Sequence, residues 1–189
     1  MSSNSKKADL RKVLLERRDS LSFDYIKIAS KQIFGKLKQI EIFNKAKTIA
    51  SYYPIGSEIK TQDIMQEILA SGKTLALPKV NDQNLIFKKI TGFDNLEKAS
   101  FNLMEPKDEC PEIIDIDLVL VPTVGITRKG VRLGYGYGFY DRFLSKSDAE
   151  TIGLTYAKQL VKSIPYSEKD IKIQWVVTEN EYFKTSSIG

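Results

Sequence analysis

Residues 118–122 read Leu118-Val119-Leu120-Val121-Pro122, a run that stays apolar until it reaches a proline. A strand with one face in water would alternate apolar and polar residues, so an unbroken run predicts a strand that is covered on both faces. Strands of this kind belong to parallel sheets with helices on both sides. Proline lacks the backbone N–H that a central strand needs, so Pro122 marks the end of the strand.

On either side of this strand, helix and strand patterns alternate. Helices are predicted at 9–18, at 23–39 with Ser22 as the N-terminal cap, at 61–71 and at 140–145. The first has its apolar face at Leu10, Val13 and Leu14. Further strands are predicted at 48–53, at 74–77 where Pro78 closes the strand, at 84–90, at 151–156 and, as the last, at 175–178. Residues 91–117 read as a loop with one turn of helix.

This alternation predicts a single domain over residues 1–189. Its fold class is α/β, a Rossmann-like three-layer arrangement with a mostly parallel sheet and helices on both faces. In open sheets of this type, ligands bind beyond the carboxyl ends of the strands.

The composition excludes several kinds of chemistry. The chain has no histidine, so Ser-His-Asp and Cys-His catalysis and the usual zinc sites are excluded. Chemistry must then come from carboxylates, Lys, Arg, Tyr, backbone amides or a metal bound through oxygen. Cys110 is the single cysteine, which fits a reducing compartment. No apolar run reaches the ~18 residues of a membrane span, and the polar start 1–7 lacks a secretory signal, so we expect a cytoplasmic protein without membrane contact.

A modest positive charge accompanies this composition. The formal net charge is +5, which suits an anionic ligand such as a nucleotide or a polycarboxylate. The basic residues are interleaved with 24 acidic ones and form no run of five, so nucleic acid is not the expected partner. We expect a monomer that acts on small molecules.

The most informative segment follows the apolar strand. It reads Arg132-Leu133-Gly134-Tyr135-Gly136-Tyr137-Gly138-Phe139-Tyr140-Asp141-Arg142 and leads into a predicted helix. Alternating glycines let the backbone approach a ligand, and the exposed amides at a helix N-terminus bind anions. Arg132 and Arg142 would add charge for phosphate. Asp141 would suit Mg²⁺ held between a carboxylate and phosphate oxygens.

Other interpretations of this segment stay open on the residues alone. It lacks the Gly-Lys-Ser/Thr end of a Walker A motif, and its G-x-G-x-G spacing is not the dinucleotide fingerprint. A tight turn packed with aromatic rings would account for the glycines. Asp141 would equally suit the first turn of a helix, where a carboxylate is stabilised.

The whole pattern R-L-G-x-G-x-G-[F/Y]-Y-D-R resembles the signature of the 5-formyltetrahydrofolate cyclo-ligases, also called methenyltetrahydrofolate synthetases. The resemblance covers nearly the whole chain. The other matching segments are Lys7-x-x-Leu10-Arg11, Tyr52 and Tyr53 followed by Glu58, Glu105-Pro106, 120–122, 152–154, Gln159, Ile164-Pro165, Asp170 and 177–179. Lys169 and Gln174 stand where the family often has His and Asp, and Phe139 replaces a frequent Tyr.

The resemblance implies an activity and a site. Such enzymes convert 5-formyltetrahydrofolate and ATP to 5,10-methenyltetrahydrofolate, ADP and phosphate, with Mg²⁺. By similarity, Arg132 and Tyr140 would be catalytic, and Asp141 and Asp170 would hold Mg²⁺. The residues that would bind ATP are Lys7, Ala8, Asp9, Leu10, Arg11, Arg132, Leu133, Gly134, Tyr135, Gly136, Tyr137, Gly138, Phe139 and Tyr140. Those that would bind the folate are Tyr53, Glu58, Tyr135, Gly136, Tyr137, Gly138 and Phe139.

Each assignment has a structural alternative. Lys7 and Arg11 lie four residues apart and would share one helical face, which could simply be exposed. Without the resemblance, Glu58 is an ordinary loop acid and Tyr53 a core aromatic at a strand end.

Three rival functions remain at this stage. A small nucleic-acid-binding protein would use the same tyrosines and arginines for stacking and phosphate contact. A nicotinamide-dependent oxidoreductase would need G-x-G-x-x-G early in the chain. A related ATP-using or phosphosugar-handling protein would share the sheet but take another substrate.

Overall fold

The structure, a computed structural model, describes residues 3–99 and 103–186. Its α-helices are α1 (Ser3–Asp19), α2 (Phe23–Leu37), α3 (Glu41–Lys45), α4 (Gln62–Ala70) and α5 (Phe139–Leu144). Its strands are β1 (Thr48–Ala50), β2 (Thr74–Asn81), β3 (Asn84–Ile90), β4 (Leu96–Lys98), β5 (Met104–Pro106), β6 (Leu118–Pro122), β7 (Gly125–Thr127), β8 (Arg132–Leu133), β9 (Glu150–Leu154), β10 (Leu160–Val161), β11 (Trp175–Val177) and β12 (Tyr182–Lys184).

A seven-stranded sheet in the order β12-β11-β9-β6-β1-β2-β3 forms the middle layer. Its five inner strands pair in parallel, and the edge strands β3 and β12 pair antiparallel to their neighbours. The predicted mostly parallel α/β sheet is thus confirmed. Two small sheets complete the structure, one with the order β10-β7-β8 and one made of β4 and β5.

The strand β6 lies at the centre and is buried on both faces, as its sequence predicts. Leu118 and Leu120 pack in the same cluster as residues of α2 and α4, such as Ile33 and Ile64. Val119 and Val121 point to the opposite face and join the cluster that contains Leu144 of α5. This strand therefore contributes side chains to both halves of the core. Burying each Val or Leu side chain stabilises the fold by about 1.5–3 kcal/mol.

Several predicted elements hold in the structure. Ser22 caps α2, where its side chain accepts a hydrogen bond from the backbone N–H of Tyr25. β3 spans the predicted 84–90. The helix after the glycines covers Phe139–Leu144, one residue earlier than expected. β1 and β9 are shorter than predicted because their last residues leave the sheet to form the loops above it.

The prediction that Pro78 closes its strand is wrong, since β2 continues to Asn81. Pro78 lies opposite Phe87 of β3. The carbonyl of Phe87 accepts from the backbone N–H of Ile113, so the polar backbone groups of Phe87 point away from β2. The pair is therefore of the type that makes no hydrogen bonds. On the other side of Pro78, β1 has already ended opposite Ala76. No strand there needs the N–H that proline lacks.

Some short strands were not predicted. The segment 91–117 contains the expected helical turn, at Phe93–Asn95, but also β4 and β5. The strand at 175–178 is not the last, because β12 follows it. Strands of two or three residues are too short to show an alternating pattern, so only their pairing partners reveal them.

The first helix packs inward through Leu10 and Leu14 of its predicted apolar face, but Val13 lies outside the inner face. Val13 is 49% exposed, whereas Leu14 and Arg18 are buried. Leu14 packs with Val124 and Leu133 of the small sheet, and Leu10 lies beside this cluster. The inner face of α1 thus runs through 7, 11, 14 and 18, a helical spacing that places three cations against the rest of the protein.

Among the described residues, no helix is long and apolar enough to cross a membrane.

Candidate active site

The glycine-rich loop connects β8 to α5 above the carboxyl end of β6. Gly136 and Gly138 have φ values of 105° and 72°, which residues with side chains rarely adopt. A Cβ atom on Gly136 would lie 3.2 Å from Cζ of Arg11. The loop therefore needs glycine both for its conformation and for its close approach to a guanidinium group. Gly138 directly precedes α5, so the loop ends at a helix N-terminus.

This loop forms one wall of a cavity of about 460 Å³. Cations of α1 and two carboxylates complete its lining. The lining residues are Lys7, Arg11, Leu85, Pro122, the segment 132–141, Ser167 and Asp170. The structure thus brings Lys7, Arg11 and the segment 132–140, which were predicted to bind the nucleotide, together with Asp141 and Asp170, which were predicted to bind the metal.

The cations are held by acceptors of the protein itself. Arg11 donates from Nε to the carbonyl of Gly134 at 2.7 Å. Lys7 donates to both carboxylate oxygens of Asp170, each at 2.7 Å. Arg132 is 8% exposed and donates from Nη2 to Asp141 at 3.0 Å. Its buried Nε has no hydrogen-bond partner among the described residues. The positive charge in the cavity is therefore fixed in place before any ligand binds.

The two candidate metal ligands lie close to one another. Asp141 accepts a hydrogen bond on Oδ1 from the backbone N–H of Ile171, at 3.2 Å, so the residue after Asp170 touches Asp141. Each oxygen of Asp141 accepts one hydrogen bond from a described residue and keeps a second acceptor position. Asp170 is more heavily engaged, because its Oδ2 accepts from Lys7 and also from N and Oγ of Ser167. Burial raises the pKa of Asp170, but Lys7 and Ser167 lower it by more.

This donor set fits Mg²⁺. The ion takes oxygen ligands, usually one or two carboxylates completed by water and phosphate. No group of three or more His, Cys, Asp or Glu side chains that could hold a metal occurs in 3–99 and 103–186. Asp141 has acceptor capacity to spare, whereas Asp170 would have to release Lys7.

Tyr140 lines the same cavity at the start of α5. Its ring lies 5.5 Å from the guanidinium carbon of Arg132 and meets Phe87 edge to face at 6.5 Å. Its hydroxyl is buried and has no hydrogen-bond partner in the part of the chain that the structure describes. Burial raises the pKa of this hydroxyl, and Glu58 raises it further, so Tyr140 is a neutral donor at physiological pH. A buried donor without a partner costs free energy, which suggests a site that a ligand completes.

Two of the predicted folate residues, Glu58 and Tyr53, lie outside the lining of this cavity, whereas residues 135–139 of the loop are part of it. Glu58 is 4% exposed and accepts from the backbone N–H of Ile55 at 2.8 Å. It reaches the glycine-rich loop through Tyr135, whose hydroxyl donates to Glu58 at 2.8 Å. Tyr53 is half-buried and meets Phe93 edge to face, with ring centroids 6.4 Å apart. The structure thus joins Glu58 to the loop and leaves Tyr53 at the edge of the core.

Other predicted residues have different positions. Ala8 and Asp9 are exposed on α1 and do not line the cavity, and Leu10 packs on the cluster beneath the helix. The expectation that Arg142 adds charge for phosphate is wrong. Its side chain donates to the carbonyls of Gln83 and Tyr137 on the outside of the loop. Arg142 therefore holds the loop against the β2–β3 turn.

Arg18 is the site residue that the sequence analysis missed. It is 5% exposed and donates to Oγ of Ser57 at 3.0 Å and to the hydroxyl of Tyr135 at 2.9 Å. Its Nη1 lies 3.8 Å from Glu58. The signal that was available is its position seven residues after Arg11, which places both on one face of α1.

Comparison with known proteins agrees with this geometry. The model of the 5-formyltetrahydrofolate cyclo-ligase family matches residues 3–179. The chain is 27% identical over 192 residues to a probable 5-formyltetrahydrofolate cyclo-ligase of Caenorhabditis elegans, covering 93% of both chains. It is 30% identical to the 5-formyltetrahydrofolate cyclo-ligase of Mycolicibacterium smegmatis, covering 91% of this chain and 93% of the relative.

Solved structures give the same result. The 5,10-methenyltetrahydrofolate synthetase of Aquifex aeolicus superposes with a TM-score of 0.87 at 31% identity, covering 97% of this chain and 94% of the other. That of Mycoplasma pneumoniae superposes with a TM-score of 0.76 at 25% identity, covering 92% and 98%. From the matching family model, the relatives and the shared fold, we conclude that the chain belongs to the 5-formyltetrahydrofolate cyclo-ligase family.

Proposed function

We propose that this protein converts 5-formyltetrahydrofolate to 5,10-methenyltetrahydrofolate with the consumption of ATP. Family membership supports the reaction. One observation supports the assignment to this site. The glycine-rich loop, the cations Lys7, Arg11 and Arg132, and two carboxylates all line one cavity. Such a cavity suits a triphosphate with its metal ion.

The reaction has two steps. The γ-phosphoryl group of ATP is first transferred to the formyl oxygen, which turns a poor leaving group into phosphate. N10 of the folate then attacks the formyl carbon and loses its proton, the ring closes, and phosphate departs with the former formyl oxygen. Since this chemistry needs no histidine, the protein has only to position the substrates and to neutralise charge.

The nucleotide would lie against the loop. Backbone amides of Gly134, Gly136 and Gly138, with the N-terminus of α5, would bind phosphate oxygens. Lys7 and Arg11 would supply charge from α1. Arg132 would stabilise the transferring phosphoryl group, because Asp141 fixes its guanidinium and its Nε has no partner among the described residues.

Asp141 is the stronger candidate for holding Mg²⁺, with Asp170 as its partner once Lys7 turns from Asp170 towards phosphate. When bound, the ion would neutralise charge on the β- and γ-phosphates. Tyr140 would donate its free hydroxyl to an oxygen of the transferring group, a contact that also satisfies this buried donor.

The folate would occupy the side of the loop that faces Glu58. A carboxylate suits the pterin edge, which presents an amino group and a ring N–H side by side. Glu58 accepts from the hydroxyl of Tyr135, and its two oxygens keep further acceptor positions for the pterin donors. Tyr135, Tyr137 and Phe139 supply aromatic surface along the loop, and Tyr137 stacks on Phe139 at 5.8 Å. Tyr53 would contact the substrate from the core side.

A direct assay tests the proposal. Purified protein is mixed with MgATP and 5-formyltetrahydrofolate, and the near-ultraviolet absorbance of the methenyl product is followed, with one sample that lacks ATP. Product that appears only with ATP supports the function, and absence of product from folded protein rejects it.

We further propose that residues 1–189 act as one catalytic domain in a monomeric cytoplasmic enzyme. Light scattering on a sizing column would check the oligomeric state, and cell fractionation would check the compartment.

A further inference from the structure

The proposed reaction gives no role to Arg18, although this residue contacts both halves of the site. Arg18 is 5% exposed, and such burial of an arginine is unusual unless the charge is paired. Burial lowers its pKa, but Tyr135 and Glu58 raise it by more, so the guanidinium stays charged. A buried charge of this kind needs an explanation beyond surface solubility.

Three parts of the chain meet at this guanidinium. Arg18 comes from α1, and its Nε donates to Ser57 in the turn after β1, at 3.0 Å. Its Nη2 donates to the hydroxyl of Tyr135 in the glycine-rich loop, at 2.9 Å, and the guanidinium carbon lies 5.6 Å from the centre of that ring. The Tyr135 hydroxyl in turn donates to Glu58 at 2.8 Å. The planar fork of arginine is suited to holding two acceptors in a fixed relation.

The carboxylate of Glu58 depends on this cation. Burial raises the pKa of Glu58 above its usual value, although the Ile55 N–H, Arg18 and Tyr135 each act to lower it. Nη1 of Arg18 is buried, lies 3.8 Å from Glu58 and has no hydrogen-bond partner among the described residues. The other titratable groups that act on Glu58 are Lys60 and the tyrosines 52, 135, 140 and 156. These tyrosines are neutral between pH 6 and 9 because their pKa values are raised.

We propose that Arg18 is a positioning residue for formylfolate and that it holds the Glu58 carboxylate in the orientation that the Tyr135 hydroxyl defines. The inference rests on the proposed function, since it takes Glu58 as the group that binds the folate. It also explains why α1 contacts the loop twice, through Arg11 at Gly134 and through Arg18 at Tyr135.

The test compares Arg18→Gln, Arg18→Lys and Tyr135→Phe with wild type. Formylfolate binding is measured by calorimetry without ATP, and KM is measured for both substrates. Arg18→Gln should raise the Kd and KM for formylfolate by about 10-fold or more, a size typical of the loss of a charged hydrogen bond, and leave the KM for MgATP within about 2-fold. Arg18→Lys keeps the charge without the fork and should restore part of the affinity. Arg17→Gln, an exposed change next in the chain, is the matched control and should behave as wild type.

The pH profile supplies a readout that a merely structural role would not move. Without Arg18, Glu58 retains its proton to higher pH, so the acid limb of the kcat/KM profile for formylfolate should lie at higher pH in Arg18→Gln than in wild type. Glu58→Gln, alone or added to Arg18→Gln, has no carboxyl to titrate and should lack this acid limb. Should Arg18→Gln fold poorly, Tyr135→Phe still tests the hydrogen bonds, because it removes only a hydroxyl from a partly exposed ring.

The outcomes separate the two proposals. If Glu58→Gln binds formylfolate as wild type does, the assignment of Glu58 fails and this inference fails with it. If Glu58→Gln loses formylfolate while Arg18→Gln and Tyr135→Phe keep wild-type Kd, KM and pH profile, the inference about Arg18 alone is overturned. A drop in folded fraction with unchanged KM for both substrates would likewise overturn it, because it shows a purely structural role.

Discussion

The hydroxyl of Tyr135 donates to the carboxylate of Glu58 at 2.8 Å, across 77 positions of sequence. This bond joins the glycine-rich loop to the turn that follows β1. One end of the bond lies beside the cavity proposed for the nucleotide, and the other belongs to the group proposed for the folate. The two substrates of the reaction would therefore bind to parts of the protein that are already in contact.

Replacing Glu58 by Gln should separate the two substrates. The amide oxygen of Gln still accepts from Tyr135. The amide NH2 is a donor, however, and it stands where the pterin needs a second acceptor oxygen. We expect kcat/KM for 5-formyltetrahydrofolate to fall about 10²-fold, in the range of a lost charge-assisted contact, with ATP binding unchanged. Initial rates with each substrate varied in turn check this. Equal loss of both ligands would show a folding defect instead.

Arg132→Ala should impair phosphoryl transfer. The guanidinium lies in the cavity, fixed by Asp141 at 3.0 Å. Removing one preorganised donor of this kind costs about 10²–10³-fold in kcat, so we expect a loss of that size at saturating MgATP. Steady-state kinetics give the number, and Arg142→Ala on the outside of the loop serves as a comparison. Unchanged ATP kinetics would contradict the assignment of Arg132.

Asp141→Asn should raise the Mg²⁺ requirement. The carboxylate has acceptor positions left for a metal, and an amide is a far weaker ligand for a hard cation. A titration of rate against free Mg²⁺ should shift to higher concentration by about 10-fold or more, the loss expected when a charged ligand becomes neutral. Asp148→Asn, an exposed carboxylate after α5, is the control. A normal titration for Asp141→Asn would count against its metal role.

Tyr140→Phe should separate activity from stability. The Tyr140 hydroxyl is buried without a partner among the described residues, so its removal takes away a desolvation cost. We expect the free energy of unfolding to stay the same or to rise by up to about 1 kcal/mol, while kcat falls about 10-fold or more because a donor in the cavity is lost. Thermal unfolding and initial rates are the two measurements. A large loss of stability with normal kcat would mean that the hydroxyl serves the fold.

The ion pair between Lys7 and Asp170 predicts a dependence of stability on pH. The folded-state pKa of Asp170 lies below its unfolded value, so this group stabilises the protein above the unfolded pKa and the contribution is lost as pH falls through the folded one. Asp170→Asn should therefore be less stable than wild type at neutral pH and equally stable in strong acid. Denaturant unfolding at several pH values tests this. A constant difference at all pH values would contradict the prediction.

Much of the fold follows from local sequence pattern. The run at 118–121 predicted a strand buried on both faces, and the structure places alternate residues of β6 in two separate clusters. The glycines at 134–138 predicted a loop at the end of that strand, since their conformational freedom and the following helix are local properties. The short strands β4, β5, β7, β8, β10 and β12 escaped prediction, because two or three residues show no period.

The site depends on contacts that no local pattern contains. The sequence alone predicted the parallel sheet and the glycine-rich loop, and its resemblance to known enzymes indicated the family and the reaction. Each of these depends on residues that are neighbours in the chain. The tertiary structure decided which side chains meet: Lys7 with Asp170 across 163 positions, and Arg18 with Tyr135 across 117. It also turned Arg142 outward and Arg18 inward, since the burial of a charge depends on the acceptors that the rest of the chain brings to it.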